Sequence, residues 1–190
     1  MNTLLEKINK IPKDFFSLKD LQKISQLNKT SLPVLISRAI KSGHLIKLKN
    51  GLYAKYNSDI SLNQLAMYLY NPSYISFETA LGQYNVLSQK TSITTLATTK
   101  RHKEITSANN IFIYHHIKKD LFWGYKKEDN YLIAEPEKAF LDLAYLSLNG
   151  YGHFDIEEMN LKILNKSRLK AYLKKINQPK LTDKISKILK

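Results

Sequence analysis

The stretch TSLPVLISRAIKSGHLIKLKNGLYAKYN, residues 30–57, constrains the fold more than any other part of the chain. Leu32, Leu35, Ile36, Ala39 and Ile40 follow the i, i+3, i+4, i+7, i+8 spacing of a helix that must bury one face. Thr30 or Ser31 is the expected cap and Gly43 the expected stop. Two short apolar runs then flank Asn50-Gly51, a pair that tolerates the positive φ of a two-residue hairpin turn. Upstream, FSLKDLQKISQ offers Ser17 as a cap, Asp20 as a capping-box acid, and Leu18, Leu21 and Ile24 as a second helical stripe. LNKTS reads as the turn between them. Helix, turn, helix, hairpin is the order of a winged helix-turn-helix, expected over residues 1–57.

The outward face of the second helix presents Ser31, Pro33, Val34, Ser37, Arg38 and Lys41. Small polar and basic groups of this kind leave room for close approach to DNA base edges. On the hairpin, Leu45, Leu48, Leu52 and Tyr53 are expected to pack inward, and Lys47, Lys49 and Lys55 to line the rim and hold phosphates. The charge fits that reading. Thirty Lys and Arg against 16 Asp and Glu leave +14, and the excess sits at the ends: residues 1–60 carry 11 basic and 4 acidic groups, 61–150 carry 9 and 8, and 151–190 carry 10 and 4. A polyanionic partner is expected at the N-terminal end. At the C-terminal end a solvated lysine surface accounts for the charge equally well.

After a polar break at Asn57, Ser58 and Asp59, residues 58–190 read as a second domain. SLNQLAMYLY is a helical segment that fits either half. PSYISFETALGQYNVL has Ser76 as a cap and Phe77, Ala80, Leu81 and Tyr84 as a stripe. ITTLATT, NIFIYHHI and YLIAE are β-branched or aromatic runs expected as strands. Pro136 suits the first turn of a helix, PEKAFLDLAYLSLNG, ending near Gly150. The whole is expected to be α+β. In the basic tail, 151–190, Leu161, Leu164, Leu169, Tyr172, Leu173 and Ile176 make an apolar face on one helix or on two short consecutive helices. Lys162, Lys166, Arg168, Lys170, Lys174 and Lys175 lie opposite, for an acidic partner or for solvent. The chain has no cysteine and no apolar run long enough to span a bilayer, so a cytoplasmic protein is expected.

Chemistry of other kinds finds little support. Glu135, Glu137, Lys138 and Asp142 evoke a nuclease, but the acid-x-Lys spacing would need an acid where Pro136 stands. An exposed helix explains them better, with the two glutamates at its positive end and Lys138–Asp142 as an i, i+4 pair. On that reading Glu137→Gln and Asp142→Asn cost little. His115 and His116 are adjacent, so on a strand they face opposite ways, and His44, His102 and His153 lack neighbours at ligand spacing. No metal, cofactor or catalytic residue is expected.

PSYISFETAL, ITTLATTKRHKEI, IFIYHHI followed by LFWGY, and above all IAEPEKAFLDLAY resemble the second domain of AbiEi-type antitoxins of type IV toxin-antitoxin and abortive-infection systems. The resemblance covers about Ser17 to Leu148, with the winged helix where that family has its DNA-binding domain. It implies a repressor of its own operon, acting on inverted repeats, that neutralises a nucleotidyltransferase-like toxin. The alternatives are a nucleic-acid-processing enzyme using the basic surface as a substrate track, and a winged-helix regulator whose second domain only dimerises.

Overall fold

The first 25 residues already show local chemistry deciding structure. The Ser17 hydroxyl accepts the Asp20 N–H at 3.1 Å while the Asp20 carboxylate accepts the Ser17 N–H at 2.8 Å. This reciprocal capping box starts helix α2, Leu18–Ser25, as the spacing implies. It is preceded by α1, Asn2–Asn9, and a short strand β1, Phe15–Ser17, neither expected from the sequence. Helix α3, Ser31–Lys41, begins differently from expectation: Thr30 makes no side-chain cap, and the Asn28 carboxamide oxygen accepts the Ser31 N–H at 2.8 Å instead. Its end is as expected. Gly43 takes φ +71°, and the N–H groups of Gly43 and His44 close on the carbonyls of Ile40 and Ala39, a Schellman motif.

The computed structural model describes residues 2–28, 30–56, 58, 60–88 and 92–188; Asn57 and Asp59 of the expected break lie outside them. The chain is α+β and forms two compact units. One comprises the first 62 residues with Ser107–Asn109, and the other holds Asn63–Thr106 and Asn110 onward.

In the first unit, strands β2, Leu45–Lys49, and β3, Leu52–Lys55, form the hairpin, and β1 pairs with β3 to give an antiparallel sheet of order β1-β3-β2. Of the turn pair, Gly51 alone has positive φ, and a bulge falls between Lys47 and Lys49. Leu4, Ile8, Phe16, Leu21, Leu32 and Ile36 make the core, with Tyr53 packed against it. Adjacent strand residues face opposite ways, so Leu52 shares the other face with Phe15 and Ala54, all three buried.

Helix α4, Leu62–Leu69, starts at the boundary and lies in the second unit from Asn63 onward; that unit is built on a six-stranded mixed sheet of order β6-β7-β5-β4-β9-β8. Its strands are β4 Ser73–Ile75, β5 Ile93–Thr98, β6 Lys103–Ser107, β7 Asn110–His116, β8 Tyr125–Glu128 and β9 Tyr131–Ala134. β4 runs parallel to β9 and β5 to β7. Three helical segments expected from the sequence are present as α4, α5 Phe77–Gln83 and α6 Pro136–Leu148. The tail forms two helices, α7 Lys166–Ile176 and α8 Pro179–Ile188, which bury Leu169, Leu173, Leu181 and Ile185. No helix among the described residues is long and apolar enough to cross a membrane.

Candidate nucleic-acid interface

Helix α3 sorts its residues as its stripe requires. Leu32, Ile36 and Ala39 are buried, while Ser31, Pro33, Val34, Ser37, Arg38 and Lys41 are exposed. One helical face thus carries small side chains around two cations, with Pro33 in the first turn, where its missing N–H costs nothing. The hairpin follows directly. Lys47 is exposed and Lys49 half-buried on β2.

Lys55 departs from the expected rim. Its ammonium donates to the Ile11 carbonyl at 3.2 Å and lies 6.0 Å from the centre of the Phe16 ring. Lys13 sits 5.8 Å from the same ring and pairs with Asp20 at 2.8 Å. Lys55 therefore ties β3 to the segment between α1 and β1, and it is not placed to hold a phosphate. Burial disfavours the Asp20 carboxylate, but Lys13 and the Ser17 N–H and hydroxyl outweigh it and hold the carboxyl down at about 2.

In the tail, α7 exposes Lys166, Arg168, Lys170, Lys174 and Lys175, and Lys162 is exposed just before it. Two of these six are engaged within the molecule. The Arg168 guanidinium lies 3.6 Å from Glu137 and 3.8 Å from Glu135, and the Lys175 ammonium sits 4.0 Å over the Trp123 ring. The outward basic surface is therefore Lys162, Lys166, Lys170 and Lys174.

The carboxylates and lysine of α6 overturn the exposed-helix expectation. Lys138 is fully buried, and Glu137 and Asp142 are each only 2% exposed. The predicted i, i+4 pair does form: the Lys138 ammonium donates to Asp142 Oδ1 and, at 2.9 Å, to the Tyr74 hydroxyl. Asp142 Oδ2 accepts from the Tyr74 hydroxyl at 2.8 Å and from Ser76 at 2.9 Å. Ser76 thus spends its hydroxyl on Asp142 and does not cap α5; there the Thr79 N–H is met by the Thr95 hydroxyl of β5 at 3.2 Å. Burial pushes the Lys138 amine down against the pull of Asp142 and lifts the Tyr74 phenol well up. Gly124, at φ +75°, leaves room for this lysine, since a Cβ there would fall 2.9 Å from Lys138 Cγ. The signal in the sequence was the apolar residues all round PEKAFLDLAYLSL, which mark a helix buried on every side. A carboxylate so enclosed reaches no substrate; the quartet is a clamp joining α6 to β4.

The histidines also differ from expectation. His115 and His116 line one cavity together with His102, and His153, Asp155 and Glu158 bring one ligand atom each within 4.8 Å of one another. The trio is largely exposed, and such groups gather commonly without an ion. No family model and no curated protein matches the chain.

Proposed function

We propose that the chain is a DNA-binding antitoxin and autorepressor of a type IV toxin-antitoxin operon, acting in the cytoplasm. The observation that carries the DNA-binding part is the exposed face of α3, Ser31, Pro33, Ser37, Arg38 and Lys41, on a helix held by its buried stripe and followed by a lysine-bearing hairpin. The element order α1-β1-α2-α3-β2-β3, with β1 beside β3 in the small sheet, supports the winged-helix reading. In this reading α3 enters the major groove of inverted-repeat operator DNA, Arg38 reads a base, and Lys41, Lys47 and Lys49 contact phosphates. The antitoxin part rests on the phrases PSYISFETAL and IAEPEKAFLDLAY, which resemble AbiEi-type antitoxins.

In this reading the second unit is non-catalytic, and the lysine and one of the carboxylates of α6 that evoke a nuclease, Lys138 and Asp142, are taken up by the buried clamp. The chain neutralises a nucleotidyltransferase-like toxin, with or without stable contact. Co-expression tests this: the chain should restore growth to cells expressing a nucleotidyltransferase-like toxin encoded beside it and should repress a reporter driven by its own upstream DNA. Failure of rescue with repression intact would leave a winged-helix regulator and remove the antitoxin.

A further inference from the structure

Strand β7 ends at a cavity of about 400 Å³ in the second unit, within the size range of small-ligand sites. His102, His115, His116, Tyr145, Asn149 and Tyr151 line it with Leu146. Five of these seven side chains are flat rings and none is a carboxylate, lysine or arginine, so the cavity suits a planar, uncharged moiety.

The hydrogen bonds around the cavity decide which edge of such a moiety it would recognise. His116 Nδ1 lies 2.9 Å from the Lys100 carbonyl, which can only accept; the neutral ring therefore carries its proton on Nδ1 and presents Nε2 as an acceptor. The Asn149 amide nitrogen donates to the Tyr145 carbonyl at 2.8 Å, which leaves the carboxamide oxygen as its acceptor. Asn149 also caps the C-terminal end of the 13-residue α6, where the helix dipole favours donors and disfavours phosphate. His115 is fixed from behind. Phe77, fully buried, meets it edge-on at 5.1 Å and 74°. Burial and the neighbouring His102 hold the His115 ring down at about 4, so near neutrality it offers one donor and one acceptor and no charge.

We propose that this cavity binds a nucleobase bearing an exocyclic amino group, adenine above all. The base lies against the rings of Tyr145, Tyr151 and the histidines, and its amino group donates to His116 Nε2 and the Asn149 oxygen. The same chemistry is offered by a free nucleoside or nucleotide and by an unpaired base in a strand. Base binding in this cavity is independent of DNA reading by α3.

Calorimetric titration of the full chain with adenosine, inosine, AMP and single-stranded oligoadenylate tests it. Adenosine is expected to bind saturably, and inosine, which lacks the amino donor, about tenfold more weakly or worse. Tyr151→Ala and His116→Ala replace exposed side chains, so both variants should keep the wild-type melting temperature, bind duplex operator DNA as before, and lose about tenfold or more in adenosine affinity. Oligoadenylate binding more tightly than AMP would identify an unpaired base as the ligand, and equal affinity a free nucleotide; either supports the cavity as a base site. No saturable binding of adenosine, AMP or oligoadenylate up to roughly 10 mM, equal affinity for adenosine and inosine, or unchanged affinity in both variants would overturn it.

Discussion

At the scale of single residues the second unit turns on Lys138 and Asp142. Each satisfies the other where both side chains are buried, and Tyr74 and Ser76 complete the carboxylate's bonds. Removing one partner strands the other as an unpaired buried charge, so Asp142→Ala and Lys138→Ala should each cost about 3–5 kcal/mol. The double variant should cost less than the two single losses together, because no stranded ion remains. Urea unfolding of the three variants measures this, and single losses below about 1 kcal/mol would show the pair to be hydrated after all. In the first unit Asp20 makes the pH dependence predictable. Its folded-state pKa, about 2, lies below that of an ordinary carboxyl, so the stability it contributes is present above about pH 4 and is lost as pH falls toward about 2. Asp20→Asn should flatten the melting-temperature profile of the protein across that window and leave the profile above it parallel to wild type.

At the scale of elements, what the sequence revealed follows from how one-sided each element is. α2 and α3 bury one stripe and expose the other, so their spacing and the capping box at Ser17 were legible. β5, β7 and β9 were legible as β-branched or aromatic runs. β1 and β4, of three residues each, are too short to show alternation, and the β8 sequence YKKE has no apolar pattern. α6 was legible as a helix but not as a buried one, because Lys138 and Asp142 look like surface charges until Tyr74 and Ser76 are folded beside them. The same limit hid Lys55, whose inward bond to Ile11 comes from a segment 44 residues away, and the gathering of His102 with His115 and His116. The hairpin yields its own prediction. A phosphate contact from exposed Lys47 is blind to sequence, so Lys47→Ala should weaken operator and random DNA alike and lower the slope of log affinity against log salt by about one. Lys55→Ala should leave that slope unchanged and lower the melting temperature instead, since its ammonium is held by Ile11 and Phe16.

For the whole molecule, the charge has two addresses. The excess at the N-terminal end belongs to the proposed DNA-reading unit, and that of the tail to α7, whose outward cations are Lys162, Lys166, Lys170 and Lys174. Reversing Lys166, Lys170 and Lys174 to glutamate spares the Arg168 and Lys175 contacts, so the fold should survive. If this face meets the toxin, rescue of growth should fail with operator affinity intact; if it flanks DNA, affinity and its salt dependence should both fall. Wild-type behaviour in both would make it a solvated surface. Whether α3 reads operator DNA is decided by the ratio of affinities for the chain's own upstream region and for random duplex at one salt concentration. A ratio of about 10³ or more is expected for wild type, reduced in Arg38→Ala by the roughly 1–3 kcal/mol of one base contact, with random-duplex affinity changed far less. A wild-type ratio near one, or equal losses on both DNAs in Arg38→Ala, would contradict it.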